Sequence, residues 1–135
     1  MPATTAERNT PRRDATHVDL PVAGNVRLLA GTIAMVNASG FAEPGATATA
    51  RRGVGVVEVT ADNVGGAAGA ISVRVRRGCF ALDNSAAADL VTRGDIGAIV
   101  HIVDNQTVAR TDGTGTRSPA GVLRDVNERG VWVQF

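Results

Sequence analysis

The chain contains no lysine and no tyrosine, one cysteine, one tryptophan (Trp132) and three phenylalanines (Phe41, Phe80, Phe135) among its 135 residues. Aromatic side chains bury the most surface per residue, so their scarcity leaves a thin hydrophobic driving force built mainly from Val and Ala. A chain of this length suits one domain and buries roughly two-thirds of its unfolded surface. A thin core in so small a domain is naturally completed by association with other subunits. The lone Cys79 excludes an intramolecular disulfide and a cysteine-based metal site. Set between Gly78 and Phe80 in an apolar run, it reads as a small buried hydrophobe. No run approaches the ~20 apolar residues of a membrane-crossing helix. No apolar stretch follows the N-terminal charges, so that end does not read as a secretory signal, and a cytoplasm-like compartment is expected.

Charge of one sign is also lacking. The net charge of +1 argues against a strongly basic nucleic-acid binder. All 14 basic residues are arginine, which together with abundant Ala, Gly and Val reflects GC-rich coding. The physical consequence is a surface of planar, forked donors that suit protein interfaces better than lysine does.

What is present divides the chain in two. Residues 1–17 are Thr, Pro, Arg and Asp with almost nothing apolar beyond Ala, and read as an extended N-terminal arm that cannot fold alone. Residues 18–135 read as a β domain of short, Val-rich strands punctuated by glycine and Asp/Asn turns. Ile71 to Arg76 alternates strictly between apolar and polar. Val54–Thr60, Ile99–Val103, Gly121–Val126 and Val131–Phe135 are further strands, and Asn25–Val36 holds two strands broken near Gly31. Ser85–Asp95 is the one stretch that suggests a short helix; alternatively Thr92 and Asp95 cap a separate short turn. The expected fold is mainly β: a compact sandwich or small barrel with one short helix and the extended arm.

Three Asp-Asn pairs recur every 21 residues, at 62–63, 83–84 and 104–105, each closing an apolar run. They read as turn chemistry at strand exits, placed at one end of the domain if each interval holds an up-and-down pair. A calcium or sugar site built from those loops is the sharper alternative.

The usual marks of catalysis are missing. His17 ends the arm, and His101 within Ile99–Val103 reads as a half-buried strand residue. Asn84-Ser85-Ala86 lacks the glycines of a nucleophile elbow. No HExxH, paired CxxC or EF-hand loop occurs, and Asp112-Gly113-Thr114-Gly115-Thr116 stands alone as a loop. Gly65–Gly69 has no lysine and precedes a strand, so it reads as a hairpin loop rather than a phosphate cradle. The Arg-Gly pairs at 52–53, 77–78, 93–94 and 129–130 lack interleaved aromatics for stacking bases and read as turns with solvent or interface arginines. The expectation is a non-enzymatic protein with no metal, no cofactor, no nucleic acid and no membrane.

The run from Ala6 through Asn9-Thr10-Pro11-Arg12-Arg13 to Asp14 resembles the opening of small head proteins of Mu-like and related tailed phages. The body is similar to phage capsid cement, or head decoration, proteins over nearly its whole length. The segments that carry the likeness are Leu29-Ala30-Gly31-Thr32-Ile33-Ala34, Gly53-Val54-Gly55-Val56, Val75-Arg76-Arg77-Gly78-Cys79-Phe80, Asp95-Ile96-Gly97 through Val103-Asp104, and Ala120-Gly121-Val122 to Gly130-Val131-Trp132-Val133. The resemblance implies a β-tulip-like domain on the outer surface of the virion capsid, commonly a homotrimer, clamping neighbouring subunits of the major capsid protein and doing no catalysis. Such a subunit stabilises only the expanded shell, because its composite site exists only there, and symmetric copies add avidity. On this reading the arm grips the shell through Arg8, Thr10, Pro11, Arg12 and Arg13. Trp132, pointing opposite to Val131, Val133 and Phe135, is an interface anchor or the core of a second layer. The rival function is a carbohydrate- or receptor-binding virion surface module using the Asp-Asn turns.

Overall fold

The alternation of Ile71–Arg76 is realised in strand β7 (Ser72–Arg76), where Val73 and Val75 are buried and Ser72, Arg74 and Arg76 are exposed. The computed structural model describes residues 2–135, and β7 is the second strand of a five-stranded antiparallel sheet in the order β1-β7-β5-β3-β4. The others are β1 (His17–Pro21), β3 (Ile33–Val36), β4 (Ala42–Pro44) and β5 (Arg52–Val57). A two-stranded ribbon, β2 (Arg27–Leu28) with β6 (Ala61–Asp62), closes the core beneath this sheet.

The C-terminal half forms a closed barrel in the order β10-β8-β12-β11-β9, from β8 (Cys79–Asn84), β9 (Ile99–Ile102), β10 (Thr107–Ala109), β11 (Pro119–Asn127) and β12 (Gly130–Gln134). Its neighbours are antiparallel except where β10 meets β8 in parallel, pairing Thr107 with Asp83 and Val108 with Asn84. Closure leaves the barrel without a free edge. The β11–β12 hairpin turns at Glu128-Arg129, and Gly130 follows with φ +130.

Two cores result, joined by β3. Ile33 and Met35 point into the barrel core with Leu82, Ile102, Leu123 and Val133, whereas Ala34 between them points into the core of the open sheet with Val57 and Val75. Alternation normally leaves one face of a strand wet; here Ile33, Ala34 and Met35 are all buried because β3 is a wall shared by two layers. No aromatic side chain is fully buried in either core. Phe80 and Phe135 stack at 6.4 Å at the barrel rim instead.

Four sequence expectations need correction. Ser85–Asp95 is not an α-helix but two single 3-10 turns, Ala87–Asp89 and Arg93–Asp95. The reason is a clamp: the Asn84 carboxamide receives the Val91 N–H and donates to the Val91 carbonyl, both at 2.9 Å. Seven residues of helix would carry Val91 about 10 Å away. The second turn carries the Thr92–Asp95 capping box read from the sequence. Cys79 is exposed rather than buried, because β8 turns Leu82 inward and therefore Cys79, Ala81 and Asp83 outward. Gly65–Gly69 is not a hairpin loop, since β6 pairs with β2 and β7 pairs with β1 and β5. The three Asp-Asn pairs belong to different sheets: Asp62 sits in the β2–β6 ribbon, while Asp83 and Asp104 flank the barrel's parallel seam.

Candidate binding surface

From Pro2 to Thr16 the chain forms no helix or strand, and every residue is exposed, including Arg8, Thr10, Pro11, Arg12 and Arg13. Among the described residues none of these three arginines has an ion-pair partner in the domain. The segment is tied to the domain at Thr16, whose carbonyl accepts the Arg77 N–H at 2.8 Å. Asp14, Ala15 and Thr16 then run along a shallow groove of about 390 Å³ whose opposite side is Gln134 and Phe135 at the end of β12.

That groove links the segment to Trp132. Along β12, Val131 and Val133 enter the barrel core, so Trp132 and Gln134 face outward together. Trp132 lies beside Ala81 and Asp125, and Gln134 beside Cys79. Small neighbours leave the indole half-buried on an outer strip, with its N–H donating to Asn127 at 2.9 Å. Trp132 therefore lies outside the barrel core, opposite to Val131 and Val133 as the alternation of β12 predicted. The segment's outer residues, 8 to 13, are not brought against Trp132 by any hydrogen bond.

Strand β1, into which the segment runs, is an edge of the open sheet. The Thr16–Arg77 bond and the Val22 N–H donated to Ile71 place the even-numbered residues of β1 in hydrogen-bonded pairs with β7. The backbone groups of His17 and Asp19 therefore face away from β7, whereas just beyond Pro21 the chain bridges β4 in parallel, the Ala23 N–H donating to the Ala42 carbonyl at 2.9 Å. The sheet's solvent face carries a charged cluster: Arg74 lies 3.4 Å from Asp19 and 3.9 Å from Glu58, and Glu58 lies 3.4 Å from His17. Proline and charge on an edge discourage indiscriminate strand pairing.

Three carboxylate–guanidinium clamps tie down loops, Glu43–Arg51 in the sheet half and Asp89–Arg117 and Asp95–Arg110 in the barrel half. Burial by itself would raise the pKa of Glu43, but hydrogen bonds from Arg51 and Asn37 and the Arg51 charge outweigh it and hold the carboxyl below its ordinary range. Asp89 is likewise lowered, first by the Thr111 hydroxyl and then by Arg117, whose guanidinium lies 3.1 Å away. Asp95 is lowered chiefly by the Thr92 backbone N–H, with Arg110 assisting at 3.1 Å. These clamps were invisible in the sequence, where Glu43 and Asp89 stand 8 and 28 residues from their partners.

The Asp-Asn pairs are occupied with the chain's own backbone. Asn63 is buried and donates to the carbonyls of Ala23 and Ala67, Asn84 clamps Val91, and Asp104 accepts the N–H groups of Gln106 and Thr107. Among the described residues no three His, Cys, Asp or Glu side chains converge on a point where a metal ion would sit. His101 is half-buried in β9, as its strand position suggested, and its Nδ1 has no hydrogen-bond partner. No family model matches the chain, and neither the curated proteins nor the solved structures searched contain a significant match.

Proposed function

We propose that the chain is a capsid cement subunit of a tailed phage, which binds the outer surface of the head and clamps neighbouring major capsid subunits, acting as a homotrimer. The observation that carries this reading is the exposed segment from Pro2 to Thr16, with three arginines that the domain leaves without partners. Ordering such a segment costs backbone entropy, about 1–2 kcal/mol per residue, which only an external surface can offset. An extended segment with three arginines and a proline fits the edges and acidic rims of a protein shell.

Three further features support it. The segment is rooted on the face that displays Trp132, a residue type concentrated at the centres of protein interfaces. Neither core holds a fully buried aromatic side chain, consistent with a domain stabilised further by neighbours. The nature of the partner follows from the resemblance to cement proteins read in the sequence alone, which no matching family or relative accompanies. The test is binding of the purified protein to expanded heads that lack it. Bound protein should raise the melting temperature of those heads, and removal of residues 2–13 should abolish most of the gain.

A further inference from the structure

The five-stranded sheet has two edges, and the fold treats them differently. The β4 edge is closed: Pro44 has no N–H to offer, and the Ala42 carbonyl takes the Ala23 N–H where Val22 bridges β4. The β1 edge stays open. Its even-numbered residues use their backbone groups on β7, while the N–H and C=O of His17 and of Asp19 point outward. Among the described residues those outward groups bond to no other backbone group, and both residues are exposed. The barrel, being closed, presents no comparable edge. Unpaired N–H and C=O groups repeating every second residue are a template for one more strand.

The side chains decide which strand fits. His17 and Asp19 stand on the solvent face, and Val18 between them is half-buried against the core of the open sheet. A strand that suits this edge offers a carboxylate opposite His17, a basic group opposite Asp19 and an apolar residue between them. Read in the reverse direction, β1 itself has that order.

We propose that the open edge pairs with β1 of a second copy of this chain, antiparallel, about a two-fold axis at Val18. His17 of each copy then lies directly opposite Asp19 of the partner subunit, and both pairs exchange N–H···O=C bonds through the groups that β7 leaves free. Each pair also sets an imidazole against a carboxylate on the solvent face. This extends the charged row in which Arg74 lies 3.4 Å from Asp19 and Glu58 lies 3.4 Å from His17. On the other face the two Val18 side chains meet across the axis. Sliding the pairing one step of the pleat in one direction opposes Asp19 to Asp19; sliding it the other way opposes His17 to His17 and leaves Asp19 facing Ala15. Like charges directly opposite are destabilising, so the charge that discourages indiscriminate pairing selects this register. So short an edge gives a weak contact alone, and a useful one where copies are already held side by side on a surface. Being two-fold, it is separate from the three-fold contacts of the proposed trimer, and it does not rest on head binding.

The test uses full-length protein carrying Cys79→Ser and one new cysteine, either His17→Cys or Asp19→Cys. Mixed in equal amounts and mildly oxidised, the two variants should form a disulfide-linked dimer of one of each, which keeps the second His17–Asp19 pair intact. It should exceed either like-with-like product roughly tenfold, since only the unlike positions are directly opposite and within disulfide reach. Mass spectrometry separates the three products. Hydrogen exchange on the unsubstituted protein gives an independent reading. As concentration rises, the His17 and Asp19 amides should slow at least roughly threefold, while the Val18 and Leu20 amides, already bonded to β7, stay unchanged. Like-with-like dimers in equal yield, no linked dimer, or odd and even amides slowing alike would each overturn the proposal. So would protection of His17 and Asp19 that appears only when expanded heads are added, which would give the edge to a strand of the shell. Failure of the protein to bind heads would leave both readings as expected.

Discussion

The Trp132 indole N–H donates to the side-chain carbonyl of Asn127 across 2.9 Å, and the same oxygen accepts the Arg129 N–H. One carboxamide therefore fixes both the β11–β12 turn and the orientation of the only tryptophan. Asn127→Ala should cost about 1–2 kcal/mol through the lost turn bond and the freed indole. Urea unfolding followed by Trp132 fluorescence measures this, and the native emission of the variant should shift to the red.

Trp132→Ala separates the outer strip from the core. Truncating a fully buried tryptophan costs about 3–5 kcal/mol, whereas a side chain lying on the barrel exterior should cost well under that. Binding to expanded heads should weaken at the same time. A loss of stability in the full core range, with head binding retained, would place Trp132 in a structural role alone.

Because β3 feeds alternate side chains into both cores, the sheet and the barrel should unfold as one cooperative unit. Ile33→Ala, which empties space in the barrel core, should cost about 2–5 kcal/mol. It should lower a single melting transition without splitting it. Two resolved calorimetric transitions would contradict the shared-wall arrangement.

Much of this architecture was legible in the sequence, and the parts that were not have physical causes. The strict alternation of Ser72–Arg76, the outward turn of Trp132 and the break at Gly31, where φ is +84, follow from local rules of strand and turn geometry. The helix expected over Ser85–Asp95 failed because a side-chain clamp from Asn84 to Val91 overrides the modest propensity of an alanine run. Cys79 was misplaced because its apolar neighbours concealed which parity of β8 faces inward. The close crossing of β5 over β11 at Gly53 is a long-range contact with no local signature beyond the Arg-Arg-Gly run.

Acid should weaken the loop clamps in both halves of the domain. Glu43, Asp89 and Asp95 have folded-state pKa values below their ordinary 4.5, 3.8 and 3.8. Groups lowered in this way contribute stability that is fully present above the ordinary pKa and is lost as pH falls through the folded one. Urea midpoints should therefore decline as pH drops from about 5 to 3. Glu43→Gln should reduce stability at pH 7 and flatten that decline.

Gly130 has φ +130, and a Cβ there would collide with the Leu82 carbonyl on the neighbouring strand. Gly130→Ala should cost about 2–4 kcal/mol, from backbone strain and forced separation of β12 from β8. Hydrogen exchange along β8 and β12 should rise in the variant before exchange in the open sheet does.

The most direct measurement is the affinity of two forms of the protein, full-length and lacking residues 2–13, for expanded phage heads stripped of this subunit. A truncation ending at Arg13 preserves the Thr16–Arg77 bond and the whole of β1, so the domain should keep its melting temperature. The account predicts tight binding and a raised head melting temperature for the full-length protein, with binding reduced at least roughly a hundredfold in the truncated form. Equal binding by the two forms, or no binding by either, would contradict it.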